Sequence, residues 1–175
     1  GNITETNVSG NPITTRWGAF WGEVSGNVFL GDSANNIFFQ WAVTNPTGST
    51  VYAANETVSD WSQGNIVPAT PDVMPSYLLD VAADNFTNTF NYTGNFSSAS
   101  LSVVNASYTP MWQNGTQRTN YSTYALKTAD NATLIWAGNV VSNLISFRET
   151  NTTDYQILVP ADSGGVIYNF YLEFR

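Results

Sequence analysis

Asparagine is the residue whose spacing most plainly prepares it for chemistry. Asn-X-Ser/Thr with X other than Pro occurs at Asn2, Asn7, Asn55, Asn85, Asn91, Asn95, Asn105, Asn114, Asn120, Asn131 and Asn151, while Pro46 disqualifies Asn45. In this triplet the side-chain amide nitrogen can accept an N-linked glycan. The chain has 21 Asn and 37 Ser plus Thr among 175 residues; chance placement gives about four or five such triplets. The eleven found exceed that more than twofold. The competing explanation is that Asn and Thr simply favour turns and strands.

Carboxylates are the next chemical resource. Hydrolysis of a glycosidic bond needs two of them across a cleft, and Glu23, Asp32, Asp60, Asp72, Asp80, Asp84, Glu149 and Asp154 offer many pairs whose separation the sequence does not fix. Asp80 and Asp84, four residues apart, read as exposed like charges on a helix. Calcium is the metal such oxygens suit. Asp32 with Asn35, and Asp154 with Asp162, lie in loop-like sequence, without the twelve-residue spacing of a helix-loop-helix site. No cofactor is expected; covalent N-glycans are, and calcium is possible.

There is no His and no Cys. This excludes a Ser-His-Asp triad, thiol chemistry, cysteine or histidine metal sites and disulfides. A net charge of −8, with 5 Lys plus Arg against 13 Asp plus Glu, opposes nucleic acid and anionic membranes as partners. No apolar run is long enough to span a bilayer. The aromatic content of 14% invites stacking on sugars, for which Trp61 and Trp112, in loop-like settings, are the candidates.

The elements that must hold these residues read as strands. Trp17, Ala19 and Trp21 share one face of a strand over about 13–24. Val28 and Leu30 follow, and a hairpin loop at 31–35 leads to Ile37, Phe39, Trp41 and Val43. Further runs fall at about 50–53, 86–92, 100–108, 120–127, 132–137, 139–147, 154–159 and 165–174. In the last, Val166, Tyr168, Phe170, Leu172 and Phe174 alternate. Period two also sets Val104, Ala106 and Tyr108 opposite Asn105, and Phe90 and Tyr92 opposite Asn91. The fold class expected is all-β, an antiparallel β-sandwich of Ig-like or jelly-roll type, with one short helix near 75–83 opened by Pro75. Residues 1–12 form an N-terminal extended segment and 13–175 one sandwich domain.

The stretch Arg16-Trp17-Gly18-Ala19-Phe20-Trp21-Gly22-Glu23-Val24-Ser25-Gly26-Asn27, with Leu30-Gly31-Asp32 and Trp41, resembles uncharacterised secreted archaeal surface proteins that begin with a Trp-Gly hairpin. Tyr155–Pro160 and Tyr168–Leu172 are similar to theirs too. The likeness covers about a third of the chain and implies an extracellular, cell-surface location and a β-rich fold. In kind, the chain is also similar to glycosylated, cysteine-free archaeal thread subunits, whose N-terminal strand completes the sandwich of the next subunit. That resemblance assigns the donor role to the N-terminal segment, with Ile3, Val8 and Ile13 as its apolar assembly residues. Trp17, Trp21, Phe39 and Trp41 are then expected in the receiving sandwich. Gly10 and Pro12 weaken such a strand, and Asn2 and Asn7, an odd number of residues apart, would face opposite sides of it.

These readings lead to one expectation: a mature, secreted, N-glycosylated, non-enzymatic structural subunit of a filament or surface layer, partnered by copies of itself. The alternative is a carbohydrate-binding adhesin module making glycan contacts, and the third a carboxylate-dependent hydrolase.

Overall fold

The computed structural model describes residues 3–6, 8–12, 14–34, 36–43, 45–162 and 165–175. Among these, thirteen strands account for nearly all regular structure, and every strand pair is antiparallel. β1 (Ile3–Thr6), β4 (Val24–Gly31) and β5 (Ile37–Val43) make a small sheet in the order β1-β4-β5. The main path runs β2 (Ser9–Pro12), β3 (Trp17–Gly22), β12 (Thr152–Pro160), β11 (Leu134–Ile145), β10 (Thr116–Thr128), β9 (Ser102–Gln113), β8 (Tyr92–Ser97). β6 (Thr50–Ala54) pairs with both β11 and β13 (Asn169–Glu173), and β7 (Ile66–Pro68) pairs with β10. This is the all-β, antiparallel sandwich class that the alternation of the sequence implies.

One strand joins the layers. The first half of β11 lies between β6 and β10, with Trp136 opposite Ala53 on one side and Ala125 on the other. Past Val140 its neighbour becomes β12, with Ile145 opposite Thr152. Within that second half the register against β12 shifts between Val140 and Leu144, where Asn143 takes φ 52°. A bulge of this kind bends a strand from one sheet into the next. The sequence divides this region at Gly138, whereas the backbone hydrogen bonding runs straight through it.

Two apolar clusters fill the interior. Trp17, Val51, Ala53, Phe86, Phe90, Trp136, Tyr155 and Ile157 belong to the first, and Tyr52, Ala54, Ile66, Phe96, Leu126 and Ile135 to the second. β6 therefore buries both faces, its successive residues entering alternate clusters, as period two requires. Tyr168, Phe170, Leu172 and Phe174 pack together against the first cluster, so the alternation of the last strand holds for these four.

The helical turn expected over 75–83 is reduced to a 3₁₀ turn, Ser76–Leu78, following another at Pro71–Val73; the α-helical turn, α1, is Phe86–Thr89. Tertiary contacts explain the shift. The carbonyl of Tyr77, which a continuing helix would pair with a later amide, accepts from the Arg16 guanidinium, and the Asp84 carbonyl accepts from Trp17 Nε1 at 2.6 Å. Asn85 caps α1, its side chain accepting from Asn88 N at 2.8 Å. Residues 86–91 are consequently not strand, and β8 starts at Tyr92. Phe90 is core, whereas Tyr92 joins a row of tyrosine rings with Tyr108 and Tyr124, at 5.5 and 5.1 Å.

Candidate functional site

Nine of the eleven acceptor asparagines fall within the described residues; Asn2 and Asn7 lie outside them, as does Ile13. Asn55, Asn91, Asn95, Asn105, Asn114, Asn120, Asn131 and Asn151 are exposed, and Asn85 is half-buried. Asn85 is also the most committed, since its Nδ2 donates to the Asp80 carbonyl at 2.8 Å while its oxygen caps α1. At Asn55 and Asn131 the contact falls instead on Oδ1, which accepts from Leu134 N at 2.9 Å and Lys127 Nζ at 2.5 Å. Asn105, Asn114 and Asn131 have φ of 57°, 48° and 63°. Asn is the non-glycine residue that tolerates this left-handed region best, so three of the triplets also satisfy a backbone requirement.

At Asn105 this corrects the period-two reading. The β8–β9 register shifts between Gly94–Ala106 and Phe96–Val103, so Val103 and Ala106 are both buried, and Val104, 59% exposed, shares the wet side with Asn105. One extra bulge residue inverts every later side chain.

The N-terminal segment lies on its own chain. β1 pairs with β4, placing Ile3 opposite Val28, and β2 pairs with β3, placing Gly10 opposite Phe20. The two halves serve different sheets, which accounts for the lack of strict alternation; Val8, between them, is exposed. A Cβ on Gly10 would lie 2.6 Å from the Phe20 ring, so glycine here lets the aromatic side chain lie flat against β2.

The four aromatic residues expected in the receiving sandwich occupy different parts of the fold. Trp17 is core, its ring 5.3 Å from Phe90 and 5.9 Å from Trp136. Phe39 and Trp41 sit on β5 with rings 4.8 Å apart and roughly half exposed. Val28 and Leu30 on β4 face them across the hairpin, and Phe38, 83% exposed, projects from the opposite face. Leu30, Ile37, Phe39 and Trp41 thus leave one face of the hairpin with exposed apolar side chains, and Phe38 adds another on the opposite face. Asp32 is the one charged residue from Val24 to Val43, and no acceptor triplet occurs from residue 8 to 54. The outer edge of β5 has no strand partner among the described residues.

Trp21 goes elsewhere. With Trp112, Phe147 and Met111 it lines a cleft of about 810 Å³ whose rim carries Arg148 and Glu149. The rings of Trp21 and Phe147 are 5.1 Å apart, nearly perpendicular, and Trp112 is 60% exposed. Beneath them, Gln156 is buried, and its amide donates to the Trp112 carbonyl at 2.9 Å and accepts from Phe147 N at 2.8 Å. The β9–β10 turn is tied to the β11–β12 loop by Asn114 N donating to Ser146 O at 3.1 Å. Trp61 does not join this group; it packs between Tyr52 and Tyr171, at 4.8 and 5.0 Å, as part of the second cluster.

The carboxylates are mostly spent on structure. Arg16 holds both Asp80, at 2.7 Å, and Asp84, at 3.2 Å, so the pair anticipated as free like charges is bridged by one cation. Its hydrogen bond to Arg16 keeps the Asp80 carboxyl below the ordinary aspartate range. Asp32 accepts from Asn36 Nδ2 and from the amides of Asn36 and Ala34, which depress its pKa likewise; Asn35 lies outside the described residues. Asp154 is not in a loop. It is buried on β12, where its two oxygens accept from Val24 N and Asn143 N, each at 2.7 Å. Among the described residues no group of three or more Asp, Glu, His or Cys is gathered for a metal ion, and no helix is long and apolar enough to cross a membrane.

Comparison with family models, with curated proteins and with solved structures finds no match.

Proposed function

We propose that this protein is a structural subunit of an extracellular filament or surface layer of the archaeal kind, N-glycosylated and associating non-covalently with copies of itself. The observation that carries this reading is the β1-β4-β5 sheet. Its β4–β5 hairpin exposes apolar side chains, holds no acceptor triplet and has no strand partner at the β5 edge among the described residues, and the sheet includes the N-terminal strand β1. Apolar side chains left in water on such a sheet lose the stabilisation that burial against a partner would give. A neighbouring subunit supplies that partner.

The N-terminal segment is the moving part. β1 and β2 occupy the edges of β4 and β3. Moving the segment from its own chain to the same edges of the next copy keeps every backbone hydrogen bond and gains a link between subunits. Head-to-tail transfer does not close on itself, so it elongates into a fibre. Glycans on the exposed asparagines elsewhere keep the polymer soluble where formal charge is sparse.

Electron microscopy of the native preparation, beside the chain lacking residues 1–12, tests this. The expected result is filaments or sheets from the full chain and dispersed particles from the truncated one. Dispersed particles in both, or polymers of unchanged length after truncation, overturn the reading.

A further inference from the structure

We infer that the cleft between Trp21, Trp112 and Phe147 is a saccharide-binding site, taking neutral pyranose units of an oligosaccharide. This goes beyond the assembly reading and shares none of the β4–β5 hairpin residues on which that reading rests. The first ground is that the aromatic surfaces are built rather than incidental. A buried amide, Gln156, spends both its donor and its acceptor on the backbones of Trp112 and Phe147, fixing two exposed rings relative to each other. Trp21 is the residue opposite Gln156 on the neighbouring strand, and its ring closes on Phe147.

The second ground is the rim. Arg148 and Glu149 follow Phe147 directly, placing a fork of donors and a pair of acceptors beside the aromatic floor. Glu149 adopts φ 58°, in the left-handed region that a residue other than Gly or Asn rarely takes, and its side chain lies alongside Gly115 of the facing turn. Backbone outliers held in place by their surroundings concentrate at ligand sites.

The third ground is extent. Trp21 and Arg148 also line a second, polar depression of about 590 Å³, bordered by Ser9, Glu23 and Thr150–Thr153. A cleft that passes from aromatic floor to hydroxyl- and amide-lined trough suits a chain of sugars, each with an apolar C–H face and hydroxyl edges. A purely apolar ligand would leave Arg148 and Glu149 desolvated without partners. A polyanion is opposed by Glu23, Glu149 and the net charge of −8. The sugar has two possible sources, a free polysaccharide or an N-glycan; Asn114 and Asn151 lie in the two loops that frame the mouth.

The test applies the full chain, produced without glycosylation, to an array of neutral oligosaccharides. Retention on at least one is expected, falling tenfold or more in Trp112→Ala and in Phe147→Ala, and severalfold in Glu149→Gln, whose thermal melt reports folding. Trp41→Ala, on the hairpin, binds as the parent does. If glycosylated protein binds equally, the ligand is a free polysaccharide; if it binds only after glycan removal, the chain's own sugars fill the cleft. No retention by the unglycosylated parent, or equal retention by a folded Trp112→Ala, Phe147→Ala double variant, overturns the site while leaving the assembly reading standing. Absence of filaments does the reverse.

Discussion

At the scale of the residue, Asn105 shows how one position serves two requirements. Its triplet makes it a candidate glycan acceptor, and its φ of 57° marks it as the bulge residue that turns Val104 outward. Substitutions separate the roles in unglycosylated protein, where sugar contributes nothing. Asn105→Gly should hold stability within about 0.5 kcal/mol, because glycine enters the left-handed region freely. Asn105→Val should lose about 1–2 kcal/mol, because its branched β-carbon clashes in the left-handed region that Asn tolerates. Ser107→Ala, which removes the triplet and leaves the backbone, should stay within about 0.5 kcal/mol. Urea denaturation of the three variants measures the difference; equal losses for Gly and Val would contradict the bulge.

Among the elements, the segment from Pro71 to Asp84 is held in place by Arg16, which grips Asp80 and Asp84 and the Tyr77 carbonyl just ahead of β3. Asp80 has its pKa lowered by that hydrogen bond. A carboxylate depressed in the folded state stabilises above the unfolded value of about 3.9, and this stabilisation disappears as pH falls through the lower, folded value. The melting temperature should therefore drop as pH is taken from roughly 5 to 2, and Arg16→Met should flatten the part of that drop due to Asp80. Differential scanning calorimetry across the acid range reads it. An unchanged acid limb in Arg16→Met would mean that the grip has no energetic weight. The helix that Pro75 and the spacing of Tyr77, Leu78, Val81 and Ala82 suggest fails for the same reason: its carbonyls are claimed by residues about 60 positions earlier in the chain.

The whole molecule divides its surface in two. One part carries the exposed acceptor asparagines, and the other, the β4–β5 hairpin, carries the apolar side chains and almost no charge. Exposed apolar side chains gathered on one element and bordered by polar surface mark contact surfaces. Unglycosylated protein should accordingly associate as concentration rises, and Phe38→Asp with Trp41→Glu should return it to monomer without lowering the thermal melt by more than a few degrees, since both side chains are already exposed. Sedimentation velocity distinguishes the outcomes; association unaltered by both substitutions would move the contact off the hairpin.

The sequence alone determined the antiparallel all-β class, the face shared by Trp17 and Ala19, the packing face of the last strand, and the candidate acceptor triplets. These follow from the two-residue period of a strand and from triplets of adjacent residues, both of which are local. What only the tertiary structure decided is equally specific. The bulges at Asn105 and Asn143 reset which residues face inward, since a left-handed residue interrupts the alternation without announcing itself among ordinary asparagines. Trp17, Trp21, Trp41 and Trp61, alike in composition, went respectively to the core, a cleft, an open hairpin and the second cluster. Asp154, read as a loop residue, became a buried acceptor for the amides of Val24 and Asn143. Each of these depends on the register and partner of a strand, set by pairings that range from about ten residues apart at the bulges to 130 between Val24 and Asp154, and no alternation pattern encodes that choice.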